Sequence, residues 1–164
     1  MWGTSLRIPR GEGLVLPFDI EQNIGIARLS GKEWIYFGKQ RTSHAVSEEY
    51  IRTFHIDCTS KRQRVSDLSA GNRQKVNLAK WLQADCTILI LEEPFKEIDS
   101  ANLVDLYNII CQMVDAGKSI ILFNSDYEEL IGLSDRILVL KDGIVSDIID
   151  GTSCTEEKLL KSLQ

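Results

Sequence analysis

Leu68-Ser69-Ala70-Gly71-Asn72-Arg73-Gln74-Lys75, followed by Ile88-Leu89-Ile90-Leu91-Glu92-Glu93-Pro94, decides how this chain is read. The first run, Leu-Ser-x-Gly-x-x-Gln, opens a helix. The second is an apolar strand that stops in two carboxylates. A helix N-terminus with Ser69 and Gly71 offers free backbone N–H groups and a hydroxyl, which suit phosphate oxygens. A buried strand ending in acids can place charge beside a metal–phosphate group. Each run alone would pass as a capped helix or an exposed strand end. Their order and spacing give the pair its weight.

Working outward, 164 residues are enough for one domain that buries roughly 70% of its unfolded surface. A hydrophobic share of 43% with 26% charged residues fits a soluble globular chain. The longest apolar runs, 87–91 and 119–123, are too short to cross a bilayer. The opening residues carry no secretory pattern. A net charge of −5 argues against a broad nucleic-acid surface, and Lys61-Arg62-Gln63-Arg64 reads as a solvated loop. Cys58, Cys86, Cys111 and Cys154 show no paired spacing, so reduced, structural thiols are expected. His44 and His55 read as packing or surface residues, isolated from each other and from the acids.

Residues 1–12 show no period, and Gly11 and Gly13 suggest a flexible approach to Leu14-Val15-Leu16. Asp19…Gln22 has N-cap spacing, with Ile20, Ile24 and Ala27 on one helical face. Residues 45–55 form a second predicted helix, with Val46, Tyr50, Ile51 and Phe54 on one side. Residues 14–66 thus read as a helical lobe, with Trp34, Tyr36 and Phe37 packed between its helices or serving a partner. In the helix over 72–83, Val76, Ala79 and Leu82, or Leu78 and Leu82, face inward. Residues 87–91 alternate little, as in a strand covered on both faces. Asp99 or Ser100 caps a helix in which Leu103, Leu106, Ile110 and Met113 recur, and Gly117 follows its end. Residues 119–123 are a strand, and Ser125…Glu128 has capping-box spacing for a helix through Leu133. Residues 136–140 and 144–148 read as a hairpin around Lys141-Asp142-Gly143, with a closing helix over 155–163. From residue 87 onward, alternating strands and helices call for an α/β layer with a mainly parallel sheet.

Three Gly-Lys pairs fail as phosphate-binding loops. Gly117-Lys118-Ser119 has Gln112 where a glycine is needed and leads from helix to strand, the reverse of the required order. Gly31-Lys32 and Gly38-Lys39 fail as well. Without a nest of N–H groups and its Lys, the chain is expected to bind nucleotide poorly by itself.

The paired runs resemble the signature sequence and Walker B strand of ABC-type ATPases, and the resemblance covers the chain from about Gly13 onward. It implies a partial domain of the P-loop NTPase-like α/β class: an irregular segment (1–13), a helical signature subdomain (14–66) and the Walker B half of the core (67–164). In that family the signature presses on the γ-phosphate of ATP held by the other domain of a head-to-tail pair. Ser69, Gly71 and Gln74 take that part here, with Ala70 at a variable position. The resemblance puts Glu92 where an Asp supports the Mg²⁺ shell; an extra methylene shifts the carboxylate by about an ångström, enough to disturb octahedral geometry. Glu93 matches the general base. Asp99 matches the acid that communicates between paired sites, and is also an ordinary N-cap. Ser125, in Asn124-Ser125-Asp126, stands where many members carry a switch His, and a capping role suits it better. Residues 7–12 offer no match to the Gln expected upstream of Gly13.

Gly13–Leu16, Ile20–Ile24, 68–76 and 125–140 resemble the second nucleotide-binding half of fused ATPases that energise ribose, galactose and xylose importers. The resemblance implies ATP and Mg²⁺ as ligands of an assembled pair, a P-loop-bearing ATPase half and a transmembrane permease as partners, no nucleic acid, and a peripheral place on the inner face of the cell membrane. It casts the chain as a fragment, an engineered piece or a decayed remnant. A non-catalytic interaction module with a degenerate ABC fold is the alternative. A piece of a DNA-repair or translation factor is disfavoured by the acidic balance.

Overall fold

The computed structural model describes residues 5–8, 13–27, 42–84 and 86–163, in two compact units, Met1–Ile121 and Leu122–Gln164. The expectations placed on Gly11, Gly31-Lys32, Trp34, Tyr36, Phe37 and Gly38-Lys39 lie outside the described residues.

In the first unit, strand β1 (Ser5–Ile8) runs parallel to β2 (Ile88–Glu92), with Ser5 opposite Ile88 and Ile8 opposite Leu91. The segment expected to be irregular therefore contains a strand, stabilised by a ladder partner that lies far along the chain. Strand β3 (Ser119–Phe123) completes a sheet of order β1-β2-β3, and the boundary between units falls within it. β2 alternates more than its sequence suggests. Leu89 and Leu91 are fully buried, whereas Ile88 and Ile90 are half-buried.

Helix α1 (Ile20–Ile26) starts with a reciprocal capping box: the Asp19 carboxylate accepts from the Gln22 N–H, and the Gln22 side chain accepts from the Asp19 N–H. Ile20 and Ile24 are sealed in the core. Helix α2 (Thr42–Thr53) starts earlier than expected and leads to Phe54, whose ring meets Tyr50 at 5.3 Å. Helix α3 (Ala70–Gln83) packs on α1, buries Val76, Leu78 and Ala79, and leaves Leu82 only half-covered.

Helix α4 (Ser100–Asp115) follows β2 and packs on α3 through the first unit's core, burying Leu106, Ile109, Ile110 and Met113. It ends in a Schellman motif: Lys118 N–H donates to the Met113 carbonyl and Gly117 N–H to that of Val114. Gly117 has the positive φ (+84°) this ending requires.

In the second unit, helix α5 (Tyr127–Leu133) precedes a hairpin of β4 (Arg136–Lys141) and β5 (Ile144–Asp150), and helix α6 (Glu156–Leu163) follows. Asp142 and Gly143 both have positive φ, the primed turn whose twist matches a two-residue hairpin. Ile137, Val139, Ile149, Cys154 and Leu159 form the core here, with Tyr127, Leu130 and Ile131 against it.

Candidate functional site: the N-terminus of helix α3

Ser69 is the N-cap of α3, its Oγ 3.2 Å from the Asn72 N–H. Ser69 and Ala70 are exposed, and burial begins at Gly71. The Asn72 side chain turns back to the cap: its Nδ2 donates to Ser69 Oγ at 3.0 Å, and its Oδ1 accepts from the Asp57 N–H at 2.9 Å. Gln74 is buried one turn along the helix. Ser69 and Asn72 thus hold one terminus, with Ser69 exposed.

Gly71 joins this terminus to α4. A Cβ there would stand 2.6 Å from Cβ and Cγ of Asn102, so only glycine admits the contact. Asn102 in turn binds both oxygens of Asp99, through its N–H (3.1 Å) and its Nδ2 (2.7 Å). These bonds, the side-chain one first, hold the Asp99 carboxyl below its ordinary pKa. Asp99, rather than Ser100, is the cap of α4. Ser69, Gly71 and Asp99 are therefore linked through Asn72 and Asn102. Sequence reasoning passed over both asparagines.

Glu92 ends β2 half-buried, and Glu93 follows with φ +46°, a left-handed conformation that strains a residue with a long side chain. Pro94 and Phe95 behind it are buried, and Phe95 meets Tyr107 edge-on at 4.8 Å. Among the described residues no three His, Cys, Asp or Glu side chains converge to hold a metal. Nucleotide-bound Mg²⁺ takes one or two carboxylates and completes its shell with phosphate oxygens and water.

Ser125 lies in the second unit and is not the cap of α5. Asp126 is: it accepts from the Glu129 N–H at 3.1 Å, while its own N–H donates to Asn124 Oδ1 at 3.2 Å. Asn124 Nδ2 also meets the Glu129 carboxylate. These contacts start the helix one residue later than the Ser125…Glu128 spacing implies.

His55, read as isolated from the acids, is not. Its Nδ1 lies 3.4 Å from Asp105 Oδ1. The stronger partner of Asp105 is Lys75, a fully buried side chain whose Nζ donates to Asp105 Oδ2 at 2.5 Å and to the His55 carbonyl at 3.1 Å. The Lys75 hydrogen bond, then that of His55, lowers the Asp105 pKa. The basic run 61–64 also has acidic partners: Lys61 pairs with Glu48 (2.5 Å), and Arg62 with Asp19 (3.3 Å) and Glu21 (3.5 Å). All four cysteines are free thiols.

No protein-family profile matches the chain. Among solved structures it aligns with a metal-chelate type ABC transporter in an inward-facing conformation, at TM-score 0.76 and 13% identity, over 99% of this chain and 64% of that one. That likeness concerns the fold. Among curated proteins, it is 40% identical over 153 residues to the L-arabinose transport ATP-binding protein AraG of Geobacillus stearothermophilus, covering 93% of this chain and 30% of that protein. Over almost all of its length, the chain is homologous to a part of ABC-type sugar import ATP-binding proteins. The xylose import ATP-binding protein XylG of Thermoanaerobacter pseudethanolicus is 38% identical over 151 residues, and the ribose import ATP-binding protein RbsA of Hahella chejuensis is 34% identical over 154. The chain spans about 30% of the length of these ABC relatives. Among the described residues, no helix is long and apolar enough to cross a membrane.

Proposed function

We propose that this chain supplies the signature side of a composite ATP site in an ABC importer of a sugar or similar small solute. Ser69, Gly71 and Gln74 serve a Mg²⁺-nucleotide held on the P-loop of another ATPase half. The observation that carries this reading is the exposed Ser69 at the start of a 14-residue helix in which burial begins at Gly71. Such a terminus presents N–H groups and positive dipole to an incoming phosphate. The close contact of Gly71 with Asn102 supports the reading further, because it ties Asp99 to the same terminus. Sugar import is taken from the names of the relatives. Glu92 and Glu93 would support a metal–nucleotide group with their carboxylates. The helical segment 14–66 would meet a membrane permease from the cytoplasmic side.

The test is Ser69→Arg in the assembled transporter. A bulky cation at the terminus should abolish ATP-driven uptake while the protein stays folded, and unchanged uptake would end the proposal. One feature favours a second reading, a non-catalytic module with an ABC fold: no Gly-x-x-x-x-Gly-Lys-Ser/Thr occurs in the chain, and Glu92 stands where the family carries Asp. That reading predicts that Ser69→Arg is silent.

A further inference from the structure

A second polar cluster lies in the later part of α3, away from the Ser69 cap. Asn77 is 1% exposed, yet neither its Oδ1 nor its Nδ2 has a hydrogen-bond partner. The indole Nε1 of Trp81, one turn further on, is buried and equally unpartnered. Lys80 is 6% exposed, and its Nζ lies 4.3 Å from the centre of the Trp81 ring. That ammonium donates to the Gly13 carbonyl, and no carboxylate pairs with it among the described residues. Desolvation by burial lowers the Lys80 pKa from its ordinary value. Gly13 completes the cluster. It is exposed, and a Cβ placed on it would stand 3.3 Å from Asn77 Oδ1 and 3.9 Å from Lys80 Nζ. The absent side chain leaves a space bordered by amide and ammonium, beside a residue that faces solvent.

We propose that Asn77, Lys80 and Trp81, with Gly13, form a binding site for a small carboxylate monoanion. The donors left over set the sign of the ligand. Two hydrogens remain on the Lys80 ammonium, two on the Asn77 amide and one on the Trp81 indole, against Asn77 Oδ1 as acceptor. Buried polar atoms are paired almost without exception, and a buried cation needs an opposite charge. Water would satisfy the amide and the indole but leave the ammonium uncompensated. One positive charge matches a monoanion, whereas a phosphate dianion would carry an unbalanced charge out of water. The two oxygens of a carboxylate can accept from the ammonium and from a neighbouring N–H together. This site is separate from the Ser69 terminus and does not depend on the proposed signature role. Because Lys80 also holds the Gly13 carbonyl, an occupied site fixes the chain at residue 13 against α3.

The test is a titration of the ¹⁵N-labelled full chain with sodium formate, against sodium chloride at equal ionic strength. Nitrogen–proton NMR follows the indole N–H groups, and Trp81→Phe identifies the Trp81 signal among the three tryptophans. That signal should move saturably with formate and not with chloride. Lys80→Met should weaken formate binding at least about ten-fold, the weight of one hydrogen bond to a charged group. It removes an uncompensated buried charge, so circular dichroism melting should find it folded. Asn77→Asp is the second variant, with a carboxylate of its own to fill the site. It should melt above wild type in chloride and lose the response to formate. Equal movement with chloride would overturn the carboxylate assignment, and no saturable movement with either salt would mean ordered water only. Asn77→Asp melting below wild type, or keeping the wild-type response to formate, would likewise overturn the proposal.

Discussion

Gly71 and Asn102 touch where the starts of α3 and α4 meet: an added Cβ at 71 would overlap the Asn102 side chain at 2.6 Å. The glycine of the signature therefore has a packing duty inside this chain, separate from any nucleotide. Gly71→Ala should destabilise by about 1–3 kcal/mol, the range for overpacking a close contact. In an Asn102→Gly background the same substitution should be milder, with a coupling of roughly 0.5 kcal/mol or more. Urea unfolding of the four proteins measures it, and strict additivity would deny the contact.

The buried Lys75 depends on Asp105. Asp105→Asn leaves an ammonium fully enclosed with the His55 carbonyl as its other described acceptor, and should destabilise by about 3 kcal/mol. Replacing both, with Lys75→Met and Asp105→Leu, should recover most of that loss, because a well-packed apolar pair avoids the desolvation of two charges. Equilibrium unfolding of the single and double variants checks the order.

The same pair predicts a pH dependence. Lys75 and His55 lower the Asp105 pKa in the folded chain, against an ordinary carboxylate value of about 3.9 when unfolded. The unfolded state then binds the proton more readily. The contribution of Asp105 is fully present above about pH 4 and declines as pH falls through its folded value. Wild-type stability should drop below about pH 4 more steeply than that of Asp105→Asn. Parallel acid profiles would contradict the assignment.

The hairpin register gives a contrast within the second unit. Ile149 pairs with Ile137 on the buried face, while Leu138 pairs with Ile148 on the exposed face. Ile149→Ala should destabilise by about 2–5 kcal/mol, and Leu138→Thr should stay within about 0.5 kcal/mol. A register slip by one residue would exchange the two outcomes.

Local chemistry was the legible part of this fold. Asp19…Gln22, Asp99, Gly117 and Asp142-Gly143 each act within a few residues of themselves, and each does in the structure what its side chain or φ dictates. The cap of α5 was misplaced because Ser125…Glu128 and Asp126…Glu129 are overlapping patterns, and Asn124 decides between them by holding the Asp126 N–H. β1 was missed because four residues carry little pattern and their partner begins 83 positions on, Ser5 against Ile88. At the candidate site the signature run was visible in sequence, but Asn102 and Asp105 lie on another helix. Nothing in a helical period shows that Gly71 must yield to one of them or that Lys75 is buried for the other.

The most direct measurement is a calorimetric titration of the purified chain with Mg²⁺-ATP at moderate salt. A signature surface that acts on nucleotide held elsewhere predicts no binding up to millimolar concentration, since no Gly-x-x-x-x-Gly-Lys-Ser/Thr occurs in the sequence. Binding at micromolar concentration would contradict the account, and would require a phosphate site other than the α3 terminus.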